Sequence, residues 1–251
     1  TGNFNNDRWA LFYLPDDPNE TNDLSEVHPE IVRDLVDRWW IEAGRYKVLP
    51  LDDRGYERWP DPRPVVSPPR DVYEYFPNTQ PIFGRGAANT VNRDFDIVAT
   101  IAPNPDGLTE GVILAHGNRF GGYTLFIKDE KAHFVYNLCG VREYRVSAPY
   151  GPMGTTTEIS VIFSLTGESQ GNVNLTVGDG KPVTGVIGAT IPYVLPVHSH
   201  ISCGLDRGLS VCTDYTSPFA FTGHIESVKV SIGEQSPIDH SKVLRAVLAE
   251  Q

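Results

Sequence analysis

Several groups of residues carry types and spacings that chemistry could use. Asp52-Asp53-Arg54 places two carboxylates beside a guanidinium. A pair of carboxylates flanking a bond is the equipment of a glycosidase, but adjacent residues rarely point into one site. An internal ion pair that shapes a turn is the simpler use. His198-Ser199-His200 with Asp206 offers imidazole and carboxylate ligands of the kind zinc takes. Asp206 and Asp214, in GLDRGLSVCTDY, offer oxygen ligands for calcium. Neither set fixes enough ligands, and an exposed loop is the simpler reading of both. Gly84-Arg85-Gly86 and Gly121-Gly122 lack the strand-loop-helix setting and following Lys of a phosphate cradle, so they read as turns.

Cys139, Cys203 and Cys212 are too few, and odd in number, for a disulfide framework. Cys203 and Cys212 are close enough in sequence to bridge a hairpin-like loop, which would leave Cys139 free; small reduced side chains are the other reading. Trp39-Trp40 resembles a ligand platform in isolation, but on a helix it reads as core or interface. Tyr123, Phe126, Phe134, Tyr136 and Tyr144 could line a carbohydrate surface or fill ordinary strand positions.

The elements that must position these residues divide the chain. Its 251 residues suffice for one large or two small domains. At 40% hydrophobic and 21% charged residues the composition is globular. The net charge of -11 argues against duplex nucleic acid, whose binding begins with Lys and Arg on phosphates, and against an anionic membrane surface. No apolar run is long enough to span a bilayer. The expectation is a soluble protein whose compartment stays open between cytoplasm and periplasm, and a sequence that opens in strand character without Met reads as part of something longer.

Residues 1–55 read as a strand, Trp9 to Leu14, then an acidic turn and an amphipathic helix from Pro29. Ile31, Leu35, Trp39 and Ala43, with Val32, Val36 and Trp40, recur at three- and four-residue intervals. Pro29 suits the first helical turn and Gly44 the position just past the last. Residues 56–93 are a Pro-rich connector that packs on its neighbours through Trp59, Tyr73, Tyr75 and Phe83, with a possible strand at Val72 to Phe76. Residues 94–233 alternate with period two in many short segments separated by Gly, Asn and Asp turns, which predicts an antiparallel β-sandwich or barrel. Residues 234–251 form a short helical tail, with Ser236 and Asp239 as a capping box. The fold class is mainly β: a jelly-roll sandwich between a small strand-helix subdomain and a C-terminal helix.

The run from Trp9 to Arg54, with Leu14, Asp17-Pro18, Glu20, Asn22-Asp23-Leu24, Pro29 and the exit YKVLPLDDR, resembles the C-terminal subdomain of formylglycine-dependent arylsulfatases. Arg119-Phe120-Gly121-Gly122-Tyr123 and Phe221-Thr222-Gly223-His224-Ile225 look like the jelly-roll extension of a bacterial branch of that family, and like concanavalin-like and laminin-G-like sandwiches. The resemblance implies a parent enzyme with a formylglycine nucleophile and a divalent cation, calcium or magnesium, polarising a sulfate ester. It also places Asp52, Asp53 and Arg54 at an active-site rim. The formylglycine arises from Cys in a Cys-x-Pro-Ser-Arg context, and none of the three cysteines here has it. This chain therefore carries no catalytic or metal residue of the family and should be inactive alone.

The leading expectation is a C-terminal part that completes a sulfatase's N-terminal catalytic part and shapes entry of a sulfated small molecule or glycan. The alternatives are a carbohydrate-binding β-sandwich and a structural or oligomerisation domain.

Overall fold

A computed structural model describes residues 7–51, 70–151, 156–167, 169–191 and 200–236. The chain forms two compact units, Thr1–Val66 and Ser67–Gln251.

The first unit is built on α1, Pro29–Arg45, with Pro29 in its first turn as expected. Gly44 is inside the helix rather than beyond it. The left-handed residue is Lys47 at φ 57°, and the Val48 N–H reaches back to the Ala43 carbonyl at 2.9 Å. That bond closes a Schellman turn with a lysine where glycine is usual. Before the helix, two aspartates organise the acidic turn. Asp17 accepts from the Thr21 and Asn22 amides and the Thr21 hydroxyl; Asp23 accepts from the Leu11 and Ser25 amides. These backbone donors hold both carboxyls below the ordinary aspartate range.

Trp9 to Leu14, expected as a strand, makes no ladder among the described residues. Its Leu11 amide goes to Asp23, and its Leu11 carbonyl to the Leu24 amide at 2.7 Å, so the segment is spent on the turn. Trp9 packs on Trp39, with ring centroids 5.5 Å apart, and Trp39 on Trp40.

The second unit is a sandwich of antiparallel strands. One sheet holds β1 (Val72–Tyr75), β3 (Arg93–Ala102), β8 (Thr157–Gly167), β9 (Gln170–Val177), β10 (Val183–Ile187) and β14 (His224–Gln235), in the order β1-β14-β3-β8-β9-β10. The other holds β2 (Ile82–Phe83), β4 (Gly111–Asn118), β5 (Gly121–Lys128), β6 (Lys131–Leu138), β7 (Arg142–Pro149) and β11 (His200–Cys203), in the order β2-β11-β4-β5-β6-β7. A small pair, β12 (Leu205–Asp206) and β13 (Phe219–Ala220), stands apart.

The strongest period-two segments become these strands, because alternate residues enter one dry layer. Phe95, Ile97, Ala99 and Ile101 of β3 are buried, and rings stack through that layer from Phe163 to Phe95, Tyr123 and Phe134 at 5.0, 5.2 and 5.9 Å. His116 also lies within it, its Nδ1 3.1 Å from the Tyr123 hydroxyl; burial pushes its pKa down to about 3, so the ring is neutral.

The segment read as a connector contributes β1 and β2 themselves, and Tyr75 is buried with its hydroxyl accepting the Ala88 amide at 2.8 Å. After β13 the chain turns at 221–223 and starts β14. β14 runs on through Gln235, so the first residues of the expected helical tail are strand; residues 237–251 lie outside the described set. Gly84–Gly86 forms a single 3-10 turn. Gly122, the second residue of β5, has φ 136°, and a Cβ there would sit 2.1 Å from the His116 carbonyl oxygen, so the position is closed to any side chain.

Lys47→Gly should stabilise the first unit by about 1 kcal/mol, because glycine adopts the left-handed conformation without a Cβ clash. All four tryptophans lie in that unit, so urea denaturation followed by their fluorescence reports it directly. An unchanged or lowered midpoint would contradict the cap assignment.

Candidate functional site

The sheet order and register give the β4–β7 sheet an outer face that is not polar. Opposite residues of an antiparallel pair share a face, so Thr124 with Val135, Phe126 with His133, and Asn137 with Glu143 all point away from the sandwich core. Val112, Ala115, Phe126 and Val135 are buried there, beneath Val211, Cys212 and Tyr215. The segment between β12 and β13 thus lies over this face and makes a second, smaller core outside the sandwich. Tyr215 packs edge-on to Phe126 at 5.1 Å and stacks on Phe219 at 5.2 Å.

Covering the face carries Asp206 out of water completely. Its Oδ2 accepts the Tyr215 hydroxyl at 2.6 Å and the Val211 amide at 3.2 Å; the same Tyr215 hydroxyl lies 3.1 Å from Thr124 Oγ1. Asp206 Oδ1 has no hydrogen-bond partner, and neither do His200 Nε2 and Ser202 Oγ, all of them buried. Burial raises the Asp206 pKa, opposed by the Tyr215 and Val211 donors and by the facing His200. Burial and the Asp206 carboxyl hold the Tyr215 hydroxyl far above its ordinary value, so it remains a donor.

The outer edge of the segment is tied down by charge. Arg145 binds Asp214 through two nitrogens, at 2.8 and 2.7 Å, and reaches Glu143 at 3.3 Å. Glu143 in turn accepts the Thr213 amide at 2.9 Å and the Thr213 hydroxyl at 3.0 Å. Because Arg145 is over a third exposed, this ion pair contributes about 1 kcal/mol at most. At the near end, Asn137 donates to the Arg119 and Val211 carbonyls at 3.1 and 2.7 Å and accepts the Gly140 amide at 2.8 Å. One buried side chain therefore joins the β4–β5 turn, the β6–β7 turn and the covering segment.

Between those elements lies an open cleft of about 400 Å³. Arg119, Glu143, Ser210, Thr213, Thr216 and Ser217 supply its polar lining, with Leu209 and Tyr215 as apolar patches. Ser210 and Ser217 hydroxyls bond each other at 3.0 Å, closing the loop on itself. Such a cleft, fixed by internal bonds and facing solvent, can exchange hydrogen bonds with a polar ligand without rearranging.

The residues singled out from sequence separate in space. Asp52, Asp53, Arg54, His198 and Ser199 lie outside the described residues. Asp206 faces inward to Tyr215 while Asp214 faces Arg145, so the two carboxylates do not frame a shared calcium site. No group of three or more His, Cys, Asp or Glu suited to a metal occurs among the described residues. His200 is not on an exposed loop: it is in β11, its ring 5.3 Å from Phe83 and its Nε2 buried.

Cys203 and Cys212 are buried free thiols, not a bridge, and burial pushes each up to about 12. With no cysteine in a Cys-x-Pro-Ser-Arg context either, the described residues do not fit a formylglycine or cation site. Tyr123, Phe126, Phe134 and Tyr136 are buried and Tyr144 is packed against the core, so they are not a sugar surface. Trp39 packs between Trp9 and Trp40. Arg119, Asn137, Glu143, Thr213 and Tyr215 were not anticipated; Phe126 on the side of β5 opposite Leu125 was the available signal that the second face is covered.

No family model and no curated protein matches the chain. Solved structures similar to it include domains LG4-5 of the mouse laminin alpha1 chain, at 14% identity and TM-score 0.44, covering 67% of this chain and 42% of that one. The CBM40 of Ruminococcus gnavus IT-sialidase bound to alpha2,3 sialyllactose matches at 12% identity and TM-score 0.42, covering 62% of this chain and 83% of that one. The LG1-3 region of the laminin alpha2 chain matches at 16% and TM-score 0.42, covering 67% and 31%. The chain thus spans less than half of either laminin segment. These TM-scores all lie below 0.5, so the antiparallel β-sandwich is read from this chain's own sheets, and none of the three structures is a sulfatase.

Asp206 gives the covering segment a distinctive pH response. A carboxyl with a raised folded pKa contributes stability that is full below the unfolded value, about 3.9, and is lost as pH rises to the folded one. Asp206→Asn, which cannot ionise, should therefore gain melting temperature relative to the parent as pH is raised from about 4, then hold a constant offset. Thermal melts across that range that stay parallel would contradict the buried-carboxyl account.

Proposed function

We propose that the sandwich is a carbohydrate-binding module that uses the cleft over the β4–β7 sheet. The supporting observation is the cleft itself: its walls are held by the Asn137, Glu143-Thr213 and Ser210-Ser217 bonds, and it presents hydroxyls, a guanidinium and small apolar patches together. A sugar offers the matching mixture of hydroxyl groups and C–H faces. Phe120, next to Arg119, is exposed and available to such a face. Carbohydrate specificity beyond this class rests on the loops rather than on the fold.

A second reading, the C-terminal part of an arylsulfatase-like hydrolase, is favoured by α1. Ile31, Leu35, Trp40 and Ile41 are all exposed on it, and only Ala43 of the helix is buried. Exposed apolar side chains of that kind fit a partner such as an N-terminal catalytic part, which would bring the formylglycine and the calcium or magnesium. The motif that carries the resemblance also has a local use, since Asp17 and Asp23 fold their own turn. Under this reading the chain alone turns over no aryl sulfate ester.

Immobilised glycans should retain the full chain, and Phe120→Ala together with Thr216→Ala should weaken retention at least tenfold while leaving the melting temperature unchanged. No retention across neutral and acidic glycans would sink the carbohydrate reading.

A further inference from the structure

We infer that the ligand of this cleft carries an anionic substituent, a carboxylate or a sulfate, and that Arg119 is its partner. The inference rests on the cleft being the carbohydrate site and adds the chemical class of the sugar.

The charges lining the cleft belong to Arg119 and Glu143, and they are not equivalent. Both oxygens of Glu143 are engaged, Oε1 by the Thr213 amide and Oε2 by the Thr213 hydroxyl and Arg145. Arg145 is shared with Asp214, which it holds through two nitrogens, so the three groups together carry one net negative charge, and a ligand cation would compete with Arg145 for Glu143. Asn137 is committed to three backbone groups, and the bond between Ser210 and Ser217 uses one of their two hydroxyl protons. Arg119 differs. Its side chain is exposed, its guanidinium carbon lies 5.6 Å from the centre of the Phe120 ring, and among the described residues it makes no ion pair. Among the described residues Arg119 is therefore the charged group of the lining that has no partner of opposite sign.

The rest of the molecule sharpens the point. With a net charge of -11 the chain as a whole repels anions at long range. Attraction must then come from direct contact, and a guanidinium offers two parallel N–H donors to a carboxylate or sulfate at close range. The Phe120 ring beside the guanidinium supplies no hydrogen-bond acceptor of its own, so it does not compete with the ligand for those donors. A lysine in its place would keep the charge and lose the fork.

Calorimetric titration of the full chain with one oligosaccharide backbone in neutral, carboxylated and sulfated forms, and with inorganic sulfate alone, tests this. The anionic sugars should bind at least about tenfold tighter than the neutral one, a difference of about 1.4 kcal/mol. Arg119→Gln should abolish that preference, and Arg119→Lys should recover only a minor part of it. Whichever anionic form binds more tightly identifies the substituent. Equal binding of all three sugars, insensitive to Arg119→Gln, overturns the inference and leaves the carbohydrate reading standing. Binding of inorganic sulfate through Arg119 with no added affinity for any sugar overturns the carbohydrate reading and leaves an anion site. No binding by any probe overturns both.

Discussion

The surplus apolar face of the β4–β7 sheet is the constraint from which the site follows. A sandwich needs one dry face per sheet, yet β4 and β5 are buried on both. Leaving Phe126 and Val135 in water would forfeit about 2 kcal/mol for each side chain. The chain between β12 and β13 meets that demand by lying across them. Covering the face removes Asp206 from solvent, so the segment must bring its own donors, and Tyr215 and the Val211 amide are those donors. The cleft is the margin of this cover, where the segment parts from the β4–β5 and β6–β7 turns. Binding surface and second core are thus products of one packing decision.

Polar groups in the cover are arranged by how much water they keep. Asp206, fully buried, takes uncharged donors, and its raised pKa expresses the missing solvent. Asp214 and Glu143, nearer solvent, take Arg145, whose planar fork fixes their geometry more than it stabilises them. Arg119, at the rim, is left to the ligand. The two buried cysteines contribute only as small apolar side chains, since their thiols stay protonated.

Much of the sandwich was legible because strand alternation is local: Phe95 to Ile101 declares its inward face with four apolar residues at every second position. The strands in the Pro-rich segment were less legible, since β2 is two residues long and its place is set by β11 far along the chain. The site was scarcely legible. Asn137 is a polar residue in a strand whose outer face should be polar, and nothing local says that Val211, seventy-four positions away, will accept its hydrogen bond. His200, Asp206 and Asp214 attracted attention by type, but their roles were decided by which way each strand register turned them. In the first unit the helix was readable from its period, whereas Trp9 to Leu14 has strand composition and no strand partner among the described residues. Sequence patterns report the face a residue prefers, while the partner that satisfies it is a property of topology.

The Tyr215–Asp206 bond holds the covering segment on the sheet and thereby forms the cleft. Amide hydrogen exchange of a Tyr215→Phe variant measures this residue by residue. The account predicts faster exchange at Val211 and Thr213, whose amides depend on Asp206 and Glu143, with β3, β5 and β8 still protected. Unchanged exchange at Val211 and Thr213 would contradict it.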